Sequence, residues 1–337
     1  MLERLEKLCN LNGISGREHS VREYIISQIE GKAEYTVDPL GNVLVFKKGK
    51  NTAKNRVMLT AHMDEVGFMV TEITSSGCLK IAAVGGIDEK VVAGRLVTVN
   101  GIEGVIGLKP VHLCDDDEMK KSPEIKALCV DIGADSKEEA QKLVSIGDSV
   151  CFASDFVKFG NNRIKAKAID DRFGCAVMLD MIDGELEYDT WFAFLVQEEV
   201  GLRGAQPAAY TIRPDYAIVI ETTTASDIAF VSGADRVCLV GGGAVVSFMD
   251  RSTVYDRQLF KKAFALAEEN GIKCQTKTVV AGGNDAGAIH KSAGGIKTLA
   301  VSLPCRYLHS ASSVAGVDDM QSVKELVGVL AKEFAVC

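Results

Sequence analysis

The sequence predicts an α/β protein whose sheet-and-helix domain is interrupted by a small β-rich insert. Amphipathic helical segments alternate with short apolar runs in the first 66 residues and again after residue 161, as in sheets buried on both faces. Between residues 66 and 159 the pattern changes to short β-branched runs separated by Gly and Asp turns. At 337 residues and 47% hydrophobic content, the chain is long enough to form two cores.

Two helices are predicted at the start of the chain. Leu2, Leu5 and Leu8 recur at helical spacing. Residues 15–18, Ser-Gly-Arg-Glu, have the form of a capping box, which predicts that a second helix follows them. The buried side of that second helix is predicted to hold Val21, Ile25, Ile26 and Ile29.

Apolar runs and helical repeats predict the remaining elements of the α/β domain. A turn at residues 38–42 separates two short extended runs, and residues 57–61 have the composition of a buried strand. The later elements are a helix over 171–183, strands over 190–196 and 216–220, a helix over 256–270 and a strand over 297–303. The chain therefore divides into one domain of residues 1–66 and 162–337 and an insert of residues 67–161.

Composition excludes several classes of protein. The 38 basic and 46 acidic residues give a net charge of -8, and no Lys/Arg cluster is long enough to follow a phosphate backbone, so nucleic-acid binding is disfavoured. The charged N-terminus is unlike a secretion signal, and no apolar run approaches the roughly 20 residues that span a bilayer. We expect a cytoplasmic protein with no membrane contact.

Ten scattered cysteines are expected to stay reduced, with Cys175 and Cys238 packed as small apolar side chains.

Polar side chains follow the predicted strands at the edge where α/β proteins bind ligands. They are His62 and Asp64 after the strand at 57–61, Glu198 and Glu199 after the strand at 190–196, Glu221 after the strand at 216–220, His309 shortly after the last apolar run, and Asp170 and Asp171 at the start of the helix over 171–183. Five segments are therefore predicted to converge on one edge of the sheet.

The charge of this set favours a pair of divalent metal ions. Carboxylates packed together without a cation raise one another's pKa and take up protons. Asp170, Glu199 and Glu221 bring three negative charges against the four of two ions, so one bridging hydroxide would complete neutrality and supply a nucleophile. Mixed imidazole and carboxylate ligation suits zinc, cobalt or manganese better than calcium.

Each of these residues also has a purely structural alternative. His62 alone could be a hydrogen-bonded core histidine, residues 170–171 a helix N-cap, and residues 198–199 a solvated loop. In favour of a site, Asp64 lies two residues after His62 on an extended chain and can orient its imidazole. The two adjacent glutamates point to different sides, so one can bind metal while the other transfers protons.

Five stretches of the chain carry a more specific pattern. They are Thr60–Gly67, Ala168–Arg172, Gln197–Ala205, Gly282–Gly287 and Arg306–Ser310. In this order they resemble the tetrahedral and glutamyl aminopeptidases, a cellulase-M-like family within the co-catalytic zinc peptidases, and the match runs nearly end to end. The resemblance implies a phosphorylase/hydrolase-like mixed sheet flanked by helices, with the insert forming a small β-barrel-like, PDZ-like dimerisation domain.

The resemblance also implies the activity and the metal ligands. The chain would hydrolyse N-terminal residues from short peptides and carry two divalent ions per subunit. Asp170 would bridge the ions. His62 and Glu221 would complete one metal site, and Glu199 and His309 the other.

Two further roles and an assembly follow from the same resemblance. Asp64 would orient His62. Glu198 would be the general base, taking a proton from the bridging water as it attacks the peptide carbonyl and delivering that proton to the departing amine. The subunits would form homo-oligomers, in which dimers assemble into a hollow tetrahedral dodecamer.

The chain departs from the family pattern at two positions. Glu221 stands where Asp is frequent, and Asn284 stands where Thr is frequent. Asp285 lies beside Asn284 in the Gly-rich stretch Gly282–Gly287, and its structural alternative is to cap the next helix. Two other functions use the same residues: deacylation of N-acylated amino acids, and a non-enzymatic scaffold that keeps the metals.

Overall fold

The computed structural model describes residues 1–337 and contains nine α-helices and seventeen strands. The helices are α1 (Leu2–Asn10), α2 (His19–Ile29), α3 (Asp116–Met119), α4 (Lys137–Ala140), α5 (Ile169–Asp183), α6 (Ala205–Ile212), α7 (Arg257–Glu269), α8 (Ala286–Ile289) and α9 (Val317–Val336). The strands are β1 (Glu34–Val37), β2 (Val43–Lys47), β3 (Val57–His62), β4 (Gly67–Ile73), β5 (Leu79–Val84), β6 (Leu96–Val99), β7 (Ile102–Gly107), β8 (Cys129–Asp131), β9 (Ser149–Phe152), β10 (Val157–Phe159), β11 (Arg163–Ala166), β12 (Thr190–Leu195), β13 (Tyr216–Thr224), β14 (Ala244–Val246), β15 (Cys274–Thr276), β16 (Lys297–Arg306) and β17 (Ser313–Gly316). None of the helices combines the length and apolar content needed to cross a bilayer.

Eleven strands form the mixed sheet of the predicted α/β fold. Their order is β1-β2-β12-β3-β13-β16-β17-β11-β10, with β14 paired to β16 and β15 paired to β14. The central strands β12, β3, β13 and β16 are parallel to their neighbours in this group, and α5 and α9 pack against them. Because these four strands run in one direction, their carboxyl ends lie at the same edge of the sheet.

The strands predicted in this sheet form, with small differences in their bounds. The strand predicted over 216–220 continues to Thr224, so Glu221 lies inside β13 and not after its end. The strand predicted over 297–303 likewise extends to Arg306. All six residues of β3 are buried, as expected for a strand covered on both faces.

The capping box predicted at residues 15–18 does not form. α2 begins at His19 with Glu18 in the N-cap position and no side-chain cap. The Ser15 hydroxyl donates instead to Asp64 at 2.6 Å, and Glu18 accepts from the backbone N–H of Gly16 and Gln197 at 2.7 and 3.1 Å. The two residues therefore hold the loops that carry the predicted ligands. Sequence alone does not distinguish this use of the Ser-x-x-Glu pattern from a helix cap.

Six antiparallel strands between β3 and β10 close a separate barrel in the order β4-β5-β8-β7-β6-β9. The barrel has its own hydrophobic core, in which the rings of Phe68 and Phe152 meet edge to face at 5.4 Å. Strand β10, inside the predicted insert, pairs with β11 in the main sheet. The division into residues 1–66 with 162–337 and an insert of 67–161 stays a prediction.

The main sheet carries a large core and, beside β14, a small second one. All ten cysteines are unpaired, and Cys175 and Cys238 are buried among apolar neighbours, as predicted. The small core consists of Ala225, Val237, Cys238, Val240 and Val245. It packs the segment that follows β13 against the sheet.

Candidate metal centre

Five segments bring the predicted side chains together at the carboxyl edge of the main sheet. His62 ends β3, Glu221 lies in β13, and Asp170 lies in the first turn of α5. Glu199 follows β12 in the loop before α6, and His309 follows β16 in the loop before β17. The convergence rests on the parallel arrangement of β12, β3, β13 and β16.

The first ligand group contains His62, Asp170 and Glu221, whose candidate ligand atoms all lie within 4.8 Å of one another. His62 Nε2 is 3.4 Å from Asp170 Oδ1 and 3.5 Å from Glu221 Oε1. His62 is fully buried within the sheet edge, and Glu221 is buried beside it. Glu221, which is one methylene longer than aspartate, therefore reaches the same point as the other two side chains.

The second ligand group contains Asp170, Glu199 and His309, again within 4.8 Å of one another. His309 Nε2 is 3.4 Å from Asp170 Oδ2 and 3.4 Å from Glu199 Oε1. The other ring nitrogen, Nδ1, is 2.7 Å from the backbone oxygen of Gly86, which follows strand β5 of the barrel. This hydrogen bond fixes the imidazole orientation with Nε2 toward the carboxylates.

Asp170 belongs to both groups and gives one carboxylate oxygen to each. Ligand atoms placed tetrahedrally about 2.1 Å from a zinc-sized ion stand about 3.4 Å apart, close to the separations observed here. Asp170 Oδ1 is buried without a hydrogen-bond partner in the protein, so its contact with His62 is a juxtaposition and not a hydrogen bond. The donor set and the spacing fit two divalent ions that share Asp170.

The electrostatics of the metal-free chain show a deficit of positive charge at this edge. Burial raises the pKa of Glu199 to about 8 and that of Glu221 to about 7. Burial alone would lower the pKa of His309, but contact with Asp170 and Glu199 raises it to about 9. The two histidines in turn hold the pKa of Asp170 well below its usual range despite its burial. Divalent cations would relieve the cost of ionising these carboxylates.

Asp64 lies behind this edge, fully buried, and makes several contacts at once. Its carboxylate accepts from the backbone N–H of Glu198 at 3.0 Å and of Glu199 at 3.1 Å, and from the hydroxyl of Ser15. His62 Nδ1 is 3.4 Å from Asp64 Oδ1 and closer, at 3.1 Å, to the backbone oxygen of Asp64. Asp64 thus contacts His62 through its main chain as well as its carboxylate, and it also holds the loop that carries the two glutamates.

The Glu198 side chain is half-buried beside the ligand groups and makes no hydrogen bond or ion pair within the protein. Burial raises the pKa of its carboxyl well above the usual range, and the nearby negative charges of Asp285, Glu221 and Glu199 add to this effect. A carboxylate with no protein partner and an elevated pKa is suited to taking and releasing a proton.

Asp285 is a buried carboxylate for which the sequence offers capping of the next helix as the structural alternative. That alternative is wrong, because Asp285 stands at the N-cap position of α8 without a side-chain cap bond. Asn284 Oδ1 instead accepts the cap-like hydrogen bond from the backbone N–H of Ala286 at 2.9 Å. Asp285 is 1% exposed, neither of its carboxylate oxygens has a partner, and burial raises its pKa well above the usual range. Nothing in the sequence distinguishes this orientation from an ordinary N-cap.

A buried ionic cluster behind the ligand groups was also missed. Glu65 accepts from Lys167 Nζ at 2.7 and 2.9 Å and from the backbone N–H of Gly13 at 3.0 Å, and Arg172 Nη2 lies 3.4 Å away. Arg172 also donates to backbone oxygens at the end of α1, including that of Leu8 at 2.6 Å. Glu65 and Arg172 each lie in a motif-bearing stretch, which was the available signal.

Comparison with known proteins places the whole chain in one group. Residues 41–326 match the family described as M42 glutamyl aminopeptidase. A glutamyl aminopeptidase of Lactococcus lactis is 31% identical over 95% of this chain and 92% of its own length. A lysyl aminopeptidase of Pyrococcus furiosus is 31% identical over 98% of this chain and 96% of its own. The TET1 peptidase of Pyrococcus horikoshii, which can assemble into a tetrahedron or a large octahedral shell, has a TM-score of 0.86 and 38% identity, with 98% of both chains covered.

Proposed function

This chain belongs to the M42 glutamyl aminopeptidase family and is an aminopeptidase, and we propose that it removes N-terminal residues from short peptides with a pair of divalent metal ions. The observation that carries the proposal is Asp170, whose two carboxylate oxygens face two separate groups of ligand-type side chains. A carboxylate shared in this way is the arrangement expected of a two-metal site.

The proposed ligands follow from the two groups. His62 and Glu221 would hold one ion, Glu199 and His309 the other, and Asp170 would contact both. Zinc, cobalt and manganese all suit this mixture of imidazole and carboxylate. When bound, the ions supply Lewis-acid polarisation of the scissile carbonyl and a water of lowered pKa.

Glu198 is proposed as the general base that takes the proton of the attacking water and returns it to the departing amine. Its carboxylate has no competing protein partner, and its backbone is fixed by Asp64. Asp64 is proposed to keep the His62 imidazole oriented as well, so one buried carboxylate would position both a metal ligand and the base.

A homo-oligomer is proposed from the likeness to the TET1 peptidase, with dimers built through the insert of residues 67–161 and assembled into a tetrahedral dodecamer. Sedimentation velocity of the purified chain tests this assembly. A monomer at micromolar concentration would contradict it.

The function is tested with Glu198→Gln, which keeps the size of the side chain and removes the base. We expect the variant to retain the metal content of the wild type, measured by elemental analysis, and to lose about 100-fold or more in turnover of free-amine peptides. Glu185→Gln, at an exposed glutamate far from the ligands, is the matched control. Full activity of Glu198→Gln would contradict the role of the base.

A parallel assay with N-acetylated peptides separates the aminopeptidase from the two alternatives. An aminopeptidase cleaves only the free-amine forms. Cleavage confined to the blocked peptides would favour a deacylase, and a metal-loaded protein that cleaves neither would favour a scaffold.

A further inference from the structure

The loop of residues 196–204 between β12 and α6, the base loop, carries both Glu198 and Glu199. The backbone N–H groups of its first four residues all donate to side chains from earlier segments of the chain. The pairs are Val196 with Asn42 Oδ1 at 2.9 Å, Gln197 with Glu18 Oε1 at 3.1 Å, and Glu198 and Glu199 with Asp64 Oδ1 and Oδ2 at 3.0 and 3.1 Å. The path of the base loop therefore depends on three side chains and not on a strand ladder.

Gln197 adopts a left-handed backbone conformation, with φ at 56°. This region is unfavourable for a residue with a Cβ atom, so contacts from outside the residue have to hold it there. The N–H group of Gln197 donates to Glu18, and its backbone oxygen accepts from the N–H group of Arg203 at 3.1 Å. Since Glu198 is the next residue, the conformation of Gln197 sets the direction in which the proposed base leaves the backbone.

Glu18 is itself held on both sides of this contact. The residue is buried, and its Oε1 also accepts from the backbone N–H group of Gly16 at 2.7 Å. One carboxylate oxygen thus joins the segment before α2 to the base loop. Because a buried carboxylate is tolerated only when hydrogen bonds satisfy it, Glu18 and the N–H groups of Gly16 and Gln197 stabilise one another.

The three side chains that hold the base loop act at different points. Asp64 accepts from the N–H groups of both glutamates, so its loss would disturb the base and a metal ligand together. Asn42 joins the two ends of the loop, since its side chain also donates to the backbone oxygen of the last loop residue at 3.0 Å. Glu18 acts only at Gln197, directly before the base, and leaves the backbone of Glu199 to Asp64.

We propose that Glu18 is a positioning residue for the base: it holds Gln197 in the left-handed conformation that directs the Glu198 carboxylate toward the two ligand groups. The inference rests on the proposed function, because it needs Glu198 to transfer the proton. Loss of the Glu18 contact should misdirect the base and lower kcat, since proton transfer requires the base to be within hydrogen-bond reach. KM and metal content should stay close to the wild type, because Glu18 hydrogen-bonds only to backbone N–H groups outside the ligands.

A different role for Glu18 would be to support the fold around α2 without directing the base. In that case a substitution would lower the free energy of unfolding and leave kcat per folded molecule unchanged. The conformation of Gln197 would also be irrelevant to the effect. The two roles are therefore separated by kinetics of folded protein and by a second substitution at Gln197.

The first test compares substitutions of Glu18 in metal-loaded protein, on the free-amine p-nitroanilide that the wild type hydrolyses fastest. Glu18→Met keeps the length of the side chain without its oxygens and should lower kcat by about 10- to 100-fold, with KM within about threefold. Glu18→Gln keeps an acceptor oxygen and should stay within about threefold of the wild-type kcat. Elemental analysis should give the metal content of the wild type for both. Glu23→Met, at an exposed glutamate in α2, is the matched control and should change neither constant.

Glu18→Asp serves as a second probe if Glu18→Met is too unstable to purify. Its carboxylate is one methylene shorter and should no longer reach the N–H group of Gln197, so kcat should fall while the charge is kept. Circular dichroism checks that each variant is folded before its kinetics are compared.

The second test asks whether the effect passes through Gln197. Glycine adopts positive φ without steric cost, so a Gln197→Gly background should reduce the kcat loss caused by Glu18→Met by about tenfold. Arg213→Gly is the matched background, because Arg213 also has a left-handed conformation, with φ at 51°, but lies at the end of α6. The loss caused by Glu18→Met should be as large in that background as in the wild type.

The outcomes separate this inference from the proposed function. An unchanged kcat or a lost metal ion in folded Glu18→Met, a Glu18→Gln as slow as Glu18→Met, or equal losses with and without Gln197→Gly would overturn the role of Glu18 and leave the aminopeptidase intact. A metal-loaded wild type inactive on all free-amine substrates, or full activity of Glu198→Gln, would instead contradict the proposed function.

Discussion

Asp170 is the residue on which both ligand groups depend, because each of its oxygens belongs to a different group. Glu221 and Glu199, in contrast, each belong to one group. Substitution of Asp170 should therefore cost more metal ions than substitution of Glu221 or Glu199. Equal losses at all three positions would instead indicate carboxylates that act independently.

Metal stoichiometry tests the shared position directly. Asp170→Asn should lose both ions, whereas Glu221→Gln and Glu199→Gln should each lose one, because the remaining group still has its other two ligands. Elemental analysis after dialysis against a weak chelator measures the content. Two ions retained in Asp170→Asn would contradict the bridging role.

Asp64 should affect activity without contacting substrate. In Asp64→Asn one carboxylate oxygen becomes an NH₂ group facing the backbone donors of Glu198 and Glu199, so the loop must shift. We expect metal affinity or kcat to fall by about 10- to 100-fold, as for other residues that orient metal ligands.

Ser15→Ala is the matched control for Asp64, since it removes one hydrogen bond to the same carboxylate and leaves its contacts to the loop intact. Isothermal titration with zinc, together with steady-state kinetics, should show a much smaller effect for this variant. Equal effects of the two substitutions would mean that the Asp64 carboxylate acts mainly through Ser15.

Four of the five proposed ligands follow apolar runs in the sequence and Asp170 begins a predicted helix, so the pattern could bring them to one edge of the sheet, and the family resemblance assigned the individual ligands. Asp285 could not be found in this way, since its sequence context is that of a common N-cap and only the loop path decides where the carboxylate points.

At the scale of elements, the ionic cluster of Glu65, Lys167 and Arg172 joins the end of α1 to the start of α5. All three side chains are almost fully buried. Because buried cations are tolerated only when paired, the carboxylate of Glu65 holds both elements in place. The first turn of α5 also carries Asp170, so this cluster holds the backbone next to the proposed shared ligand.

Glu65→Gln should destabilise the protein by about 3–5 kcal/mol, because it leaves Lys167 and Arg172 buried without a counter-charge. Chemical denaturation followed by circular dichroism measures the change in the free energy of unfolding. The matched control is removal of the exposed pair between Lys50 and Glu185 by Glu185→Gln, which should have little effect. An unchanged free energy of unfolding in Glu65→Gln would mean that water or rearranged backbone carbonyls replace the carboxylate as partners of Lys167 and Arg172.

Long, strongly patterned elements were predictable and short ones were not. The buried run of β3 and the repeat of α5 are local signals, and both elements form. Strands β14 and β15 have three residues each and depend on distant partners, because β14 pairs with β16 and β15 pairs with β14, so no local signal marks them. Helix α9 was not predicted, although Met320, Val323, Val327, Leu330 and Phe334 recur at helical spacing in the sequence.

For the whole molecule, the ligand groups make stability depend on pH and on metal. In the metal-free protein the folded pKa values of Glu199 and Glu221, about 8 and about 7, exceed the value of about 4.3 for unfolded glutamate. The folded state then binds more protons, so their contribution to stability is present below about pH 4 and is lost as pH rises to 7–8. His309, raised to about 9 from about 6.5, adds a loss of the same sign at higher pH.

We therefore expect the melting temperature of chelated protein to fall between pH 5 and pH 8 on the order of several degrees, and zinc to raise it most at the upper end. Glu221→Gln, which cannot ionise, should show a smaller fall than the wild type. Differential scanning calorimetry with and without chelator measures all four curves. If the melting temperature of the chelated wild type rises from pH 5 to pH 8 and that of Glu221→Gln does not, the elevated pKa of Glu221 is contradicted.

Glu65 lies where the chain leaves the main sheet for the barrel, and its partner Lys167 lies between β11 and α5, after the chain has returned to the main sheet. The salt bridge thus joins the entry to the barrel to the start of α5, and each of its residues is three positions from a proposed ligand, His62 on one side and Asp170 on the other. A barrel exchanged between relatives would therefore enter through a connection that the host domain holds with its own lysine. Chimeras joined outside the Glu65–Lys167 pair should disturb the metal centre, and those joined on the barrel side should leave it intact.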